Sequence, residues 1–186
     1  MKLSEKEKII KDVKRTIGKK YGSKSNKMDS QEFKKVFCAM AKKYGFKTAY
    51  GCCYKESAEC LFVLELQRSY YSKLYYLNMR TYIQGVFGRE YAFHKNLKRD
   101  MGDVYNRPPK SYHPIFDLEE EMTNESRFVL LDSCFNDFII PYSEKNLSVS
   151  GIRECAASGE LLLLPAVRDE IDRLYPVCNQ EYKNRP

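Results

Sequence analysis

The stretch Cys60 to Tyr82, CLFVLELQRSYYSKLYYLNMRTY, decides the fold. Cys60, Phe62, Leu64 and Leu66 share one parity, and Leu61, Val63, Glu65 and Gln67 share the other. After Ser69-Tyr70-Tyr71-Ser72-Lys73 the alternation resumes. Tyr75, Leu77, Met79, Thr81 and Ile83 alternate with Tyr76, Asn78, Arg80, Tyr82 and Gln84. Strand side chains point to opposite faces with period two, so each arm has one oily side. Burying both oily sides together predicts an antiparallel hairpin, with Glu65, Gln67, Asn78 and Arg80 sharing the opposite face. The connection lacks Gly and Asn, which predicts a loop longer than a two-residue turn.

Upstream, Asp29 stands three residues before Glu32, a helix start. Phe33, Val36, Phe37, Met40, Ala41 and Tyr44 then keep the i, i+3, i+4, i+7 rhythm. Gly45 suits the left-handed position after the last turn, and Phe46 can fold back onto it. Lys47 to Tyr54 reads as a first strand leading into the hairpin. The expected architecture is therefore α+β: a helix packed on an antiparallel β-meander of three strands, followed by C-terminal helices.

Those later helices are less sharply written. Asp103 to Pro114, DVYNRPPKSYHP, reads as loop, with Pro108-Pro109 excluding helix there. Phe116 to Glu121 reads as short structure or loop. From Glu125, the spacing of Phe128, Leu131, Phe135, Phe138 and Ile139 is helical, and Pro141 is expected to stop it; a strand over Phe128–Leu131 is the alternative. Ser148 to Ala157 predicts a short helix closed by Ser158-Gly159. Pro165 opens a last helix carrying Val167, Ile171, Leu174 and Tyr175.

The chain has 186 residues and a formal charge of +7. That length predicts one domain, here 28–178, with an arm before it and a frayed tail at 179–186. The charge is unevenly placed: residues 1–50 hold 15 Lys/Arg and 5 Asp/Glu, whereas the remainder is net acidic. Ser4 with Glu7 forms a capping box, and Ile9, Ile10, Val13 and Ile17 follow at helical spacing. YGSKSNK, from Tyr21 to Lys27, reads as a linker, so 1–27 is a basic helical arm. A solvated face, an arm for nucleic acid or another anionic partner, and a membrane-surface helix are its three readings. No apolar run approaches membrane-spanning length, and the lysine-rich N-terminus has no apolar h-region. Seven cysteines, an odd number with no CxxC pair, are expected as reduced cytoplasmic thiols, mostly small buried hydrophobes.

Three short motifs carry a resemblance: Tyr44-Gly45-Phe46 at the helix end, Leu66 to Ser69 (LQRS) and Leu74 to Asn78 (LYYLN). Together they resemble an uncharacterised bacterial family, domain of unknown function 4304, over roughly residues 30–175. Where that family often places a small residue soon after the Asn, this chain has Met79-Arg80. The resemblance implies an α+β fold in a cytoplasmic bacterial setting and brings no reaction with it.

The candidate binding residues are Glu65, Gln67, Ser69, Asn78 and Arg80 on the polar side of the hairpin, joined by Tyr76 and Tyr82. Amides donate and accept, and an Arg fork suits carboxylate or phosphate. A solvated face with a Glu65–Arg80 pair is the structural alternative. Tyr70, Tyr71, Tyr75, Tyr76 and Tyr82 cluster at the hairpin, and tyrosines serve sheet packing, protein interfaces and base stacking alike. His94 and His113 are the only imidazoles. No spacing joins them to a particular cysteine, and no metal-ligand, phosphate-loop or nucleophile-elbow motif occurs.

The functional expectation is a non-enzymatic protein-binding module without cofactor or metal, immunity-like or accessory in a bacterial system, its partner a protein. Nucleic-acid binding through the basic arm and hairpin tyrosines is the alternative. A thiol-dependent hydrolase using Cys52, Cys53 or Cys60 is a third. Deleting residues 1–27 removes 10 Lys/Arg and 3 Asp/Glu. It is expected to leave one cooperative unfolding transition; loss of that transition in thermal denaturation would assign Ile9, Ile10 and Val13 to the core.

Overall fold

A computed structural model describes residues 28–176. The expected basic helix, its linker and the tail at 179–186 lie outside the described residues. Helix α1 (Ser30–Lys43) precedes five strands: β1 (Lys47–Ala49), β2 (Cys52–Glu56), β3 (Cys60–Arg68), β4 (Tyr75–Ile83) and β5 (Val104–Asn106). Helices α2 (His113–Phe116), α3 (Asn124–Cys134), α4 (Ile140–Lys145), α5 (Val149–Ala157) and α6 (Pro165–Leu174) follow. The strands form one antiparallel meander in chain order. The chain is thus α+β, with one helix before the sheet and the others after it.

Helix α1 begins where Asp29 caps it: the carboxylate accepts the N–H groups of Gln31 at 2.7 Å and Glu32 at 2.8 Å. Lys42 and Lys43 lie in its last turn, where cations suit the helix dipole. Gly45, at φ +81°, turns the chain back, and Phe46 donates its N–H to the Ala41 carbonyl. The apolar stripe Phe33, Val36, Phe37 and Met40 shares one core with Phe62, Leu64, Leu77 and Met79, as the two periodicities predict. β3 and β4 pair from Cys60 opposite Ile83 to Arg68 opposite Tyr75. Beyond them Ser69 donates its N–H to the Leu74 carbonyl across the loop.

Four expectations need correction. Lys47 to Tyr54 is two strands, because the chain reverses at Tyr50-Gly51, where φ is 51° and 78°. Two successive positive φ values match the twist of a tight hairpin, usually signalled by Asn-Gly; a tyrosine in first position hides the turn. The loop expected at Asp103–Pro114 contains β5, which pairs Val104 with Thr81, Tyr105 with Arg80 and Asn106 with Met79. Together these make five strands where three were expected. Finally, Pro141 does not end the helix. Between α3 and α4 the chain widens into a π segment, Phe135–Ile139, in which Ile140 donates to the carbonyl of Phe135 five residues back. The wider turn accommodates a proline ring and its missing N–H, so helix continues to Lys145 and Phe128–Leu131 is helical.

The C-terminal helices pack on the far end of the same sheet face. Val149, Ile152, Cys155, Val167 and Ile171 join Cys60, Ile83, Val86 and Val104 in a second core cluster. Ser148 caps α5 by accepting the Gly151 N–H at 3.1 Å. A Cβ on Gly151 would lie 2.1 Å from the Lys145 carbonyl oxygen, so the junction of α4 and α5 demands glycine. No described helix is long and apolar enough to cross a membrane.

Phe37 is buried against Phe135, ring centroids 5.2 Å apart. Phe37→Ala is expected to cost ~3–5 kcal/mol in denaturant titration; a loss below ~1 kcal/mol would move it out of the core.

Candidate functional site: the polar face of the sheet

On the face turned away from α1, the ladder lays side chains in rows. Cys52 of β2 stands opposite Glu65 of β3, which stands opposite Asn78 of β4. Alongside, Val63 stands opposite Arg80, which stands opposite Tyr105 of β5. The shared parity of Glu65, Gln67, Asn78 and Arg80 therefore becomes contact. Arg80 donates from Nη2 to Glu65 Oε2 at 2.6 Å. Asn78 donates from Nδ2 to Gln67 Oε1 at 2.9 Å and reaches Glu65 Oε2 at 3.5 Å. The carbonyl oxygen of Asn78 accepts the Tyr105 hydroxyl at 2.8 Å and Arg107 Nε at 3.1 Å. The Arg107 guanidinium lies 4.7 Å from the ring centre of Tyr76 and 5.8 Å from that of Tyr105, within cation–π range.

Two of the expected site residues stand apart from this network. Ser69 closes the hairpin loop, its hydroxyl accepting the Tyr71 N–H at 3.2 Å. Tyr82 does not face solvent: it is fully buried, and its hydroxyl donates to the Leu97 carbonyl at 3.0 Å. Its neighbours in parity, Leu61 and Val63, are apolar too. The chain lays Leu97, Tyr91 and Phe93 over them, making a small core on this face with Cys52. The face is thus divided into an apolar half under that strap and a polar half toward the hairpin loop. Tyr75 lies on the helix side, buried beside Phe33 at 5.4 Å between ring centres.

Arg107 and Tyr105 were missed by sequence reasoning. Their only signal is the shared parity of Tyr105 and Arg107, the first inside a strand of three residues and the second between that strand and Pro108-Pro109. Lys98 was missed as well; it and Arg80 partly offset the effects of burial and of Glu65, which together push the Cys52 thiol up to about 11. Cys52 therefore stays protonated and a poor nucleophile at neutral pH. Burial likewise raises Cys60 to about 12. Among the described residues no hydrogen bond joins a thiol to an imidazole. His94 Nδ1 instead accepts the Asn96 N–H at 3.3 Å. Nor do three or more His, Cys, Asp or Glu side chains gather as a metal-binding set among these residues.

An open cleft of about 740 Å³ lies elsewhere, between Gln84, Tyr91 and Tyr175. Its polar lining is already engaged: the Gln84 amide exchanges hydrogen bonds with the Tyr91 backbone, the Tyr91 hydroxyl donates to Asp103 and the Tyr175 hydroxyl to the Gln84 carbonyl, which leaves Glu90 as the one charged side chain lining it. Compared with protein-family models, with curated proteins and with solved structures, the chain finds no match in any of the three. The reading of the face therefore rests on its own geometry.

Arg80 is the most constrained member of that face. It is 5% exposed, and its Nε and Nη1 are buried without a hydrogen-bond partner, so Glu65 is the charge that matches it. Removing one partner of a buried pair leaves the other uncompensated. Glu65→Ala is expected to cost ~3 kcal/mol. The double change Glu65→Leu with Arg80→Met is expected to be close to neutral, since well-packed apolar groups replace both charges. A double-mutant cycle in urea checks this; a Glu65→Ala loss under ~1 kcal/mol would show that Arg80 is matched elsewhere.

Proposed function

We propose that this chain is a non-enzymatic protein-binding module, immunity-like or accessory in role, whose partner docks on the hairpin loop and the adjoining polar face. The observation that carries the reading is the exposure of the loop tyrosines: Tyr70 is 95% exposed and Tyr71 99%. Large, stiff, polar-tipped rings held out from the domain are what protein interfaces use as anchors, and Arg is enriched beside them. The face behind the loop continues that chemistry, with Gln67 exposed on β3 and Arg107 stacked on Tyr76. Against the hydrolase stand the raised thiols of Cys52 and Cys60 and the absence of an imidazole bonded to any described cysteine.

Affinity capture from the native host, with nuclease treatment, tests the reading. The expected result is a protein retained after nuclease. The Tyr70→Ala/Tyr71→Ala double variant should lose at least ~30-fold in affinity, the scale of one interface hot spot, with an unchanged unfolding midpoint. Random single or double strands are expected to bind no tighter than the nonspecific ~10⁻⁴–10⁻⁶ M range at physiological salt. Sub-micromolar nucleic-acid binding that falls steeply with salt, or full retention of the partner by the double variant, would overturn the proposal.

A further inference from the structure

The six described cysteines are all free, and they divide into two kinds. Five are buried. Burial raises Cys52, Cys60 and Cys134 to between about 11 and about 12, and Cys155 moves the same way. Cys38 differs: it is half-buried, on α1, and its sulfur lies 3.9 Å from that of Cys53 on β2. Lys34 and Lys42 stand one turn before and one turn after it on the same helix face.

We propose that Cys38 and Cys53 form a peroxide-responsive thiol pair, Cys38 reacting with a hydroperoxide and Cys53 resolving the product into an intrachain disulfide. Three features fit together. The Cys53 thiol donates a hydrogen bond to the Cys38 sulfur, which favours thiolate at Cys38; Lys42 and Lys34 act in the same direction. Against burial, these bring Cys38 down to about 7, whereas the same hydrogen bond and burial push Cys53 up. A thiolate at neutral pH with a route to solvent is what peroxide chemistry requires. Cys53 is almost wholly buried directly behind it, so the intermediate meets a thiol before a second peroxide.

The steps balance as follows. The Cys38 thiolate attacks one peroxide oxygen. An S–O bond forms, the O–O bond breaks, and the leaving hydroxide or alkoxide takes up a proton. Cys38 is now a sulfenic acid, oxidised by two electrons, and the peroxide is reduced. Cys53 then gives up its proton and attacks the Cys38 sulfur; an S–S bond forms, the S–O bond breaks, and water leaves. The sulfurs must close from 3.9 Å to about 2.05 Å, a movement on the scale of side-chain rotation between a helix and a neighbouring strand. The bridge would join residues 15 apart and tie α1 covalently to the sheet.

The test treats the full reduced chain with one equivalent of hydrogen peroxide, blocks free thiols and maps peptides by mass spectrometry. The expected product is Cys38 linked to Cys53, reversed by dithiothreitol, with Cys52 carrying the blocking group. In Cys53→Ala a dimedone adduct should accumulate on Cys38, whereas in the wild-type chain the iodoacetamide reaction of Cys38 should follow a pH midpoint of about 7. The wild-type map stands without any variant. Cys38 oxidised to sulfinic acid while Cys53 stays reduced, a bridge from Cys38 to another cysteine in its place, or Cys38 alkylating no faster than Cys52 would each overturn the proposal.

Discussion

Slipping β3 against β4 by a single residue would undo most of this molecule. The pairing runs unbroken from Cys60 opposite Ile83 to Arg68 opposite Tyr75. Because the strand period is two, a one-residue slip turns the apolar set of one strand, Phe62 and Leu64 or Leu77 and Met79, from α1 toward the other face. The same slip would separate Glu65 from Arg80, whose guanidinium is matched there and nowhere else among the described charges. Apolar burial on one face and a buried ion pair on the other thus select the same register. An ion pair is weak evidence for stability, but one that is correct in a single register discriminates against the alternatives.

Around that pairing, the remaining elements deal with two ends and two edges. The far end is covered on the helix side by α5 and α6 and on the other side by Leu97, Tyr91 and Phe93. The edges are short strands of three residues, which limits the backbone offered for pairing with another chain. What the described residues leave uncovered is the loop end, where Tyr70 and Tyr71 project and where Gln67, Tyr76 and Arg107 line the approach. The bare region of the sheet and the unusual aromatic exposure therefore coincide, which is why the proposed docking surface is the loop end rather than the cleft beside Tyr175.

Local signals were legible and long-range ones were not. α1 could be read because Asp29, the apolar stripe and Gly45 mark its start, face and end within 17 residues. The hairpin could be read because both arms alternate. The turn at Tyr50-Gly51 could not, because the residue that adopts positive φ there is a tyrosine. β5 could not, because three residues give too little alternation and two prolines follow closely. Pro141 was misread because a break in hydrogen bonding can be absorbed by a π turn whose formation depends on how Phe135 and Ile139 pack. Of the candidate site, Glu65, Gln67, Asn78 and Arg80 were legible as one parity. The burial of Tyr82 was not, since it depends on a strap from residues 91–97 that carries no periodic pattern.

β2 is where the two faces meet. Cys52 and Cys53 are adjacent, so their side chains leave the strand in opposite directions. Cys53 enters the core beneath α1, beside Cys38, while Cys52 stands in the row of Glu65 and Asn78. Their chemistry diverges accordingly. Cys52 is raised chiefly by burial and by the carboxylate of Glu65, offset in part by Lys98 and Arg80, and it has no hydrogen-bonded thiol partner among the described residues. Cys53 has a partner sulfur within reach and a helix carrying two lysines beyond it. Any constraint that pulls Cys53 toward α1 acts on a strand hydrogen-bonded to β3 along five residue pairs, including Cys52 opposite Glu65. The backbone that would carry a Cys38–Cys53 bridge is therefore the backbone that positions one side of the Glu65–Arg80 pair. The core thiols and the polar face are mechanically one layer apart, separated by the thickness of a single strand.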